Sequence, residues 1–545
     1  MKLIKQNKGL TYLFLSIFFF YQIYLMYQGG STYDLFDLWL GSGYIFQKLQ
    51  AYFNLDFSNE IFQNELGQLD FFGYFFLLPA YVIERRINKI SYNSSNEPIN
   101  FLGEQFPSED ALTFFSIHLV LIIYSFFLII LIANKIENIY SRKYSIIFII
   151  SLLLVPSFSG HLLFNVKDIP HLLQLFLAKL YIYDYLHLST KKLNLSRFLL
   201  LSFIIAASLS IRINALVFIS FFLFYLYLIS EKKNIYVKNT FLVAIISFLF
   251  LFIMTPQSWE NPINWLAGSL EFQSSFDWTG HTLTNGEYIV AQDIDGSYLF
   301  TWYFFRMPLF IHIGFLYFIY KFTVSPKKFD FSTYALIFIF TNFALFPIIK
   351  PPAYDGLRHF LFLIPFFVIL FVEMIVDLDL KKYRSIIYGL LIFYGVFTQY
   401  GLEQYKYTYF NELTNLKEVS YHCENIDGFG NWITDYWSFS GRELSTYVNQ
   451  NFNEKNILIC KPHHSFKNYI ELDRFNEIYP WEIKPEIGEF LVVSSHRPRL
   501  NQDSCGFLEY EINYECSEVF TLKKTYRFTD VNMSYLNKCT MKNLS

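Results

Sequence analysis

Residues 159–170 read SGHLLFNVKDIP and separate two strongly apolar runs, near 144–158 and 169–186. The polar and ionisable side chains of this stretch are His161, Asn165, Lys167 and Asp168. Ionisable groups at the edge of a bilayer are costly to keep there, and they usually mark a functional site. The stretch therefore predicts a site on whichever side of the membrane other such groups collect.

The composition excludes an ordinary soluble protein. Of 545 residues, 53% are hydrophobic, 21% are aromatic and only 16% are charged, whereas soluble domains carry about 25% charged residues. The formal net charge of -3 gives no indication of nucleic acid as a partner. We predict an α-helical polytopic membrane protein.

The apolar runs predict the number of spans. Lys2, Lys5 and Lys8 precede a run over 10–27, which reads as a retained first span with a cytoplasmic N-terminus. Further apolar runs lie near 112–133, 144–158, 169–186, 198–211, 214–229, 240–255, 302–320, 332–349, 359–376 and 385–402. At roughly 20 residues per crossing, they predict about eleven transmembrane helices.

The run over 198–229 decides the topology. As one helix it would contain about 32 residues and extend roughly 48 Å, more than a bilayer core requires. Two shorter helices that turn at 210–214 restore the alternation of Lys- and Arg-rich connections expected from the positive-inside rule. This hairpin places Arg212 at the outer surface.

We predict two domains. Residues 1–402 form the transmembrane catalytic domain, with a large first outer loop over 29–111 and another outer loop over 256–301. Residues 403–545 form a soluble extracytoplasmic domain of mixed α/β type, because the β-like runs ILIC and FLVVSS alternate with polar segments.

The cysteines support an oxidising location for the second domain. All five follow residue 420. Cys505 and Cys516 are the nearest pair for a disulfide, and free buried cysteines are an equally good alternative.

Charged groups away from the cytoplasmic flanks collect on the outer face. The acidic candidates are Asp34, Asp37, Asp70 and Asp168, and the basic candidates are Lys167, Arg212, Arg306, Lys350, Arg358 and His359. Such a set suits an anionic lipid headgroup together with a neutral second substrate. If the phosphate leaves from a sugar, fixed cations stabilise its charge and a carboxylate takes the proton of the incoming hydroxyl. This chemistry requires no metal.

Several motifs carry a resemblance to a known superfamily. They are Tyr33-Asp34 after the first span, GHxxxNxKDIP over 160–170, YDGLRHFLFLIP over 354–365, YKYTYFNEL over 405–413 and DYW over 435–437. Together they resemble the GT-C superfamily of polyprenyl-phosphate-sugar glycosyltransferases. The chain is most similar to bacterial members of the family 39 type, which are relatives of protein O-mannosyltransferases and lipid A aminoarabinose transferases.

The resemblance implies an outward-facing active site. The first-loop acid acts as catalytic base, which assigns that role to Asp34, and the arginine before the late Pro-containing span binds lipid phosphate, which assigns that role to Arg358. Asp168 is a second acidic group that orients a substrate. Many relatives have an Asp-Glu pair in the first loop, whereas here Asp34 is followed by Leu-Phe-Asp37. The choice between Asp34 and Asp37 as base therefore stays open.

Structural roles compete with these assignments. Asp34 is a favourable N-cap for a helix that begins near residue 35. Lys167 and Asp168 could serve only to start the following span, and Arg212 could only snorkel to the interface. The tryptophans of the 256–301 region serve either as interfacial anchors or as sugar-stacking rings; they are Trp259, Trp265, Trp278 and Trp302.

The predicted function is sugar transfer from a polyprenyl-phosphate donor to an envelope glycan, lipid or protein by inverting displacement. The protein would lie in the cell inner (plasma) membrane, among membrane lipids, with its C-terminal domain outside. The predicted phosphate ligands are Asn165, Lys167, Arg212, Arg358 and His359. A divalent cation is possible, and no cofactor is required.

Two alternatives belong to other classes. A secondary transporter or flippase would show internal repeats and ionisable residues near the middle of the membrane. A non-catalytic protein that binds a lipid-linked sugar would keep the binding groups and lack the chemistry.

Overall fold

The structure is a computed structural model. It describes residues 2–32, 34–56, 61, 71, 73–91, 99–101, 104–106, 109–188, 194–274, 278, 280–324, 330–378, 384–420, 430–453, 456–484, 487–496, 505 and 513–542.

Helices dominate the first three quarters of the chain and strands the last quarter. The helices are α1 (Lys2–Gln28), α2 (Asp34–Phe53), α3 (Leu78–Ser91), α4 (Glu109–Ile139), α5 (Arg142–Leu153), α6 (Pro156–His161), α7 (Asp168–Ile182), α8 (Leu195–Ile211), α9 (Ala215–Ile229), α10 (Lys233–Met254), α11 (Pro262–Ser274), α12 (Tyr298–Arg306), α13 (Leu309–Val324), α14 (Phe331–Ile349), α15 (Ile364–Asp377), α16 (Arg384–Gln399), α17 (Gly441–Asn451) and α18 (His464–Lys467). The strands are β1 (Ile99–Phe101), β2 (Glu104–Phe106), β3 (His281–Thr284), β4 (Glu287–Val290), β5 (Asn456–Ile459), β6 (Asn476–Ile478), β7 (Glu489–Ser495), β8 (Tyr514–Tyr526) and β9 (Thr529–Met541).

Several helices are long and apolar enough to cross a membrane. Four single helices meet this condition in the described chain, namely Thr113–Ile139, Lys233–Met254, Phe331–Ile349 and Arg358–Asp377. The pair α12 and α13, bent by 118°, makes up to five if it counts as one span. Shorter apolar helices accompany them, namely Tyr12–Gln28, Leu195–Ile211, Ala215–Ile229 and Gly389–Gln399. The multi-pass helical class is confirmed, and the number of eleven spans stays a prediction.

The break predicted within 198–229 is confirmed, because two helices replace one long helix there. Helix α8 ends at Ile211, Arg212 has an extended backbone (φ -146°, ψ 121°), and α9 begins at Ala215. The first outer loop contacts this break. A Cβ on Gly73 would lie 1.3 Å from the carbonyl oxygen of Ser210, so only glycine fits there.

The two loops predicted on the outer face contain regular structure. Within 29–111 lie α2, α3 and the antiparallel hairpin β1–β2. The 256–301 region is more ordered than a loop, because it holds the 13-residue helix α11 and the hairpin β3–β4.

Helix α7, which follows the SGHLLFNVKDIP stretch, lies at the centre of the helical region. Every residue of α7 except Tyr181 is buried. It packs against α4, α8 and α9, and against the 3-10 turn Arg358–Leu363 that precedes α15. Asp168 is the first residue of α7, so a buried carboxylate lies at the N-terminal end of this helix.

A backbone contact places the C-terminal part against this stretch. Helix α6 packs on the 3-10 segment Glu403–Thr408. A Cβ on Gly160 would lie 2.2 Å from the backbone nitrogen of Tyr407. The glycine of the GHxxxNxKDIP motif is therefore required for the approach of two backbones.

The last part of the chain forms a five-stranded sheet in the order β6-β5-β7-β9-β8. Strand β5 is parallel to β6 and β7, and β9 pairs antiparallel with β7 and β8. Leu444 and Val448 of α17 are buried with the side chains of one face of this sheet. The strands predicted from ILIC and FLVVSS are confirmed as β5 and β7.

The predicted disulfide between Cys505 and Cys516 is wrong. The structure contains the bonds Cys460–Cys505 and Cys516–Cys539. Cys516 and Cys539 are directly opposite each other in the β8–β9 ladder, so strand register rather than sequence proximity selects the partner. Cys423 lies outside the described residues.

Candidate active site

Asn165 shapes the start of α7. Its Oδ1 accepts hydrogen bonds from the backbone N–H groups of Lys167 (3.3 Å) and Asp168 (2.9 Å), the pattern of a helix cap. Its Nδ2 donates to Oδ2 of Asp168 at 3.0 Å and lies 3.3 Å from Nδ1 of His161. Asn165 therefore uses its hydrogen-bonding groups to start the helix and to hold the Asp168 carboxylate.

Two arginines from distant segments meet at Asp168. Nη2 of Arg212, in the α8–α9 turn, lies 2.5 Å from Oδ1 of Asp168. Nε of Arg358, at the start of the turn before α15, lies 3.4 Å from Oδ2. All three side chains are largely buried. The helix packing thus gathers three predicted residues into one ionic cluster.

The cluster keeps Asp168 ionised. Burial by itself would raise the pKa of this carboxyl, because the charged form loses its hydration. The positive charges of Arg212, Arg358 and His359 outweigh burial, and the pKa of Asp168 falls below its ordinary value. The carboxylate is therefore charged at neutral pH and serves poorly as a proton acceptor.

A second carboxylate, Asp355, adjoins the cluster. Its Oδ2 lies 3.4 Å from Nη1 of Arg358 and accepts a hydrogen bond from Nε1 of Trp437 at 2.5 Å. Asp355 has φ 58° and Gly356 has φ 71°, a left-handed turn in which Asp and Gly are favoured. The hydroxyl of Tyr298 bonds both backbone groups of Gly356 and fixes this turn.

Sequence reasoning missed Asp355 as a site residue. The Asp-Gly pair inside the YDGLRH motif predicts a turn. It does not predict which side chain bonds the aspartate. The partner is 82 positions away, in the DYW motif.

The DYW segment is anchored by its aspartate. Asp435 is buried and accepts hydrogen bonds from the hydroxyl of Tyr407 at 3.1 Å and from the hydroxyl of Ser440 at 2.6 Å. These bonds position the turn that presents Trp437 to Asp355. The motifs YKYTYFNEL and DYW therefore act together as one support of the site.

Arg306 belongs to this support and not to the ionic cluster. Its guanidinium donates to the backbone carbonyls of Tyr407 (2.5 Å), Tyr409 (3.3 Å) and Ile433 (3.4 Å). Three carbonyl partners indicate that it joins the α12 end to the C-terminal segments.

Aromatic rings surround the cluster. The guanidinium of Arg358 lies 5.4 Å from the ring centroid of Tyr354 and 5.5 Å from that of Tyr436. Trp278 stacks on Tyr354 at 4.9 Å and 23°. Of the four tryptophans considered above, Trp278 is the one with a described ring contact to this shell, whereas Trp302 is buried and donates to Thr284.

Two buried groups beside the cluster keep unused hydrogen-bonding atoms. His171, one turn after Asp168 on α7, has both ring nitrogens buried without a described partner. Nε of Arg212 is likewise buried without a hydrogen-bond acceptor in the described chain. Unsatisfied buried donors are uncommon in proteins and call for a partner such as a water or a ligand.

The remaining predicted residues differ in how they relate to this cluster. Lys167 directly precedes the first residue of α7 and is partly buried. His359 packs edge-on against Tyr354 at 4.6 Å, and its charge acts on Asp168. Asp34 and Asp37 lie in the first turns of α2, and their side chains are outside the described part of the structure, as is all of Asp70.

One cavity beside the ionic cluster is small. A cavity of ≈ 30 Å³ is lined by residues that include His161, Asp355, Arg306 and Tyr436. A water requires about 10–15 Å³ of such space, so the cavity accommodates water and not a sugar.

The carboxylates do not form a metal site on their own. No group of three or more His, Cys, Asp or Glu side chains suited to a metal ion occurs among the residues that the structure describes. Dependence on a divalent cation stays a prediction.

Comparisons with known proteins give structural likenesses alone. No protein-family model matches the chain, and no curated protein matches it in sequence. ArnT from Cupriavidus metallidurans bound to undecaprenyl phosphate aligns with 10% identity and a TM-score of 0.45, over 84% of this chain and 92% of that chain. The oligosaccharyltransferase of Archaeoglobus fulgidus in complex with Zn and sulfate aligns with 13% identity and a TM-score of 0.39, over 74% of this chain and 54% of that chain.

Both proteins are members of the GT-C superfamily, which is the superfamily that the sequence motifs resemble. With identities under 25% and TM-scores under 0.5, these alignments carry no argument about the reaction.

Proposed function

We propose that this protein is a membrane glycosyltransferase that moves a sugar from a polyprenyl-phosphate donor to an acceptor outside the cytoplasm. One observation carries the proposal. Two arginines from separate helical segments converge on a buried carboxylate at the N-terminal end of α7, and Nε of Arg212 keeps an unused donor. A phosphate oxygen is the partner that such a cation pair suits.

Asp168 acts in this proposal as a positioning residue. It holds Arg212 and Arg358 near each other, and each guanidinium has five N–H donors, more than one carboxylate can accept. The unused Nε–H of Arg212 is available to the phosphate. Asn165 positions Asp168 in turn, since its own groups are used as the cap of α7.

The proposed reaction is a single displacement. The acceptor hydroxyl oxygen forms a bond to the anomeric carbon, the bond from that carbon to the phosphate oxygen breaks, and its electron pair leaves with the phosphate. The hydroxyl proton passes to a carboxylate, for which the family resemblance favours Asp34, with Asp37 as the alternative. Arg212, Arg358, Lys167 and His359 stabilise the leaving phosphate.

The proposed location is the cell inner (plasma) membrane, with the N-terminus in the cytoplasm and the C-terminal domain outside. The two disulfides of that domain support an oxidising compartment. A polyprenyl phosphate supplies the sugar there, and an envelope glycan, lipid or protein receives it.

One buried lysine is an observation that favours the alternative function, a transporter. Lys179 of α7 is fully buried, and its Nζ lies 3.4 Å from the ring centroid of Phe338 and 4.8 Å from that of Phe366. A transporter would use such a group inside the membrane. The substitution Lys179→Met separates the alternatives, since sugar transfer would persist in a transferase whose site lies at Asp168.

A transfer assay tests the proposal. Purified protein is incubated with labelled polyprenyl-phosphate sugars and envelope acceptors, and wild type is compared with Asp34→Asn, Asp37→Asn and Asp168→Asn. Asp473→Asn, an exposed carboxylate of the C-terminal domain, is the matched control. We expect transfer by wild type and the control, and loss in Asp168→Asn and in one first-loop variant. Failure of wild type to bind any donor would refute the class assignment.

A further inference from the structure

A second cavity lies apart from the ionic cluster and is far larger. Its volume is ≈ 570 Å³, and it is bounded by the end of α1, the segment Glu403–Thr408, α17 and β8. Pockets that bind small molecules measure about 300–1,000 Å³, so this cavity has the size of a ligand site. Transmembrane and C-terminal parts both contribute to its wall.

The lining combines aromatic rings with neutral hydrogen-bonding groups. The rings are Tyr21, Tyr24, Tyr447 and Phe520, and Tyr447 stacks on Phe520 with 3.8 Å between ring centroids. Gln28 and Gln450 add amides, and Thr446 adds a hydroxyl. Aromatic faces fit the apolar side of a sugar ring, while amides and hydroxyls pair with its hydroxyl groups.

The charges of the lining are matched within the protein. Nζ of Lys524 lies 3.0 Å from Glu443 and 3.4 Å from Glu403. Arg442 donates to the backbone carbonyl of Tyr27. The described lining contains Arg442 and Lys524 against Glu403 and Glu443, so its formal charges cancel, which disfavours a phosphate or an anionic lipid headgroup and favours a neutral polar ligand.

The cavity wall continues directly into the catalytic segments. After Gln28, Gly29 packs on the ring of Phe439, and the N–H of Gly30 donates to the carbonyl oxygen of Phe439 at 3.1 Å. Asp34 follows on one chain segment, and Trp437 precedes Phe439 on the other. A ligand in the cavity therefore adjoins both segments that the proposed reaction uses.

We propose that this cavity binds a neutral glycan, the sugar portion of the acceptor. The inference rests on the proposed transferase function, since the ionic cluster is reserved there for the donor phosphate and the sugar attached to it. A further neutral glycan site then serves the molecule that receives the sugar.

Glycan binding is measured without any transfer step. Detergent-purified protein is applied to a printed array of neutral mono- and oligosaccharides that contain glucose, galactose, mannose, rhamnose or N-acetylglucosamine. We expect binding to at least one glycan, with a loss of about tenfold or more in the double variant Tyr447→Ala/Gln450→Ala, a change of about 1.4 kcal/mol. Trp481→Ala, a residue 74% exposed outside the cavity, is the aromatic control and should bind as wild type does.

Further arms separate the two proposals. Whichever of Asp34→Asn and Asp37→Asn loses transfer should still bind the glycan. Glycan binding without transfer by wild type would refute the transferase and keep the neutral-glycan site without its acceptor role. A bound glycan that acquires label from a polyprenyl-phosphate sugar is an acceptor, and one that never does contradicts the acceptor role. Binding to no glycan, equal binding by the double variant, or competition by phosphatidylglycerol vesicles would overturn the inference.

Discussion

The carboxylate of Asp168 is stable as an anion because two guanidinium groups compensate its burial. Removal of one partner from a buried ion pair leaves the other charge uncompensated, at a cost of about 3–5 kcal/mol. Since Arg212 and Arg358 both contact this carboxylate, each member of the trio constrains the positions of the other two.

Arg358→Lys tests whether the planar guanidinium is needed. Arg358 reaches Asp168 through Nε and Asp355 through Nη1, which a single ammonium group cannot reproduce. We expect the affinity for polyprenyl phosphate, measured with purified protein, to fall about tenfold or more, or about 1.4 kcal/mol. Arg474→Lys, in the C-terminal domain, is the control. Unchanged affinity in Arg358→Lys would contradict the proposed role.

His161 makes the folded protein sensitive to acid. Burial lowers the pKa of its imidazole from 6.5 to about 3. As pH falls below 6.5 the unfolded chain gains a proton that the folded protein excludes, so stability is full above pH 6.5 and declines toward pH 3. At pH 5 the loss is about 2 kcal/mol.

His161→Gln removes this titration and keeps a hydrogen-bonding group toward Asn165. We expect the Tm to fall less between pH 7 and pH 5 in the variant than in wild type. Asp168 does not disturb the comparison, because its lowered pKa affects stability only below its ordinary value of 3.8. Equal shifts in both proteins would refute the assignment.

The site was predictable where a polar residue interrupts an apolar run. Arg212, Asp168 and Arg358 stand out for this reason, and the resemblance supplied their roles. The ion pairs among them, and the bond from Trp437 to Asp355, depend on long-range packing that no local pattern contains. Asn165 was predicted as a phosphate ligand, whereas its side chain caps α7. This capping could not be predicted, because it follows from the backbone geometry of the turn.

At the scale of elements, the turn between α8 and α9 is the feature that delivers Arg212 to the site. It was predictable because an apolar run of this length exceeds one membrane crossing. Its contact with the first outer loop was not predictable. Gly73 lies on the backbone of Ser210, so the loop supports the turn from outside.

Gly73→Ala should displace this turn. The added Cβ would lie 1.3 Å from the carbonyl oxygen of Ser210, and overpacking of this kind costs about 1–3 kcal/mol or more. We expect a lower Tm together with weaker binding of polyprenyl phosphate, because Arg212 moves with the turn.

Gly389→Ala in α16 is the matched control. A Cβ there meets nothing within 4 Å, and alanine favours a helix over glycine by about 1 kcal/mol. Its Tm should equal or exceed that of wild type. A Gly73→Ala protein with wild-type Tm and binding would show that the loop does not support the turn.

At the scale of the whole molecule, strand register decides features that the linear sequence hides. The strands around ILIC and FLVVSS were predictable from their apolar runs. The order β6-β5-β7-β9-β8 mixes parallel and antiparallel neighbours, and it brings Cys516 opposite Cys539 rather than beside Cys505.

Peptide mapping under non-reducing conditions tests this arrangement. In protein purified from its membrane, we expect one peptide pair joined by Cys460 and Cys505 and another joined by Cys516 and Cys539. Replacement of Cys516 and Cys539 by serine should lower stability by about 3 kcal/mol, because the bond restricts the unfolded chain. Recovery of a peptide that joins Cys505 to Cys516 would contradict the sheet register.

The contact between the end of α1 and α17 has a consequence for the order of synthesis. Arg442 bonds the carbonyl of Tyr27 across 415 positions of sequence. The segment that leads to Asp34 is synthesised early. The arginine that bonds Tyr27, at the start of this segment, is synthesised only in the last part of translation. A chain that stalls before residue 442 therefore lacks the arginine that bonds Tyr27, and the end of α1 gains this hydrogen bond only when the last domain is made.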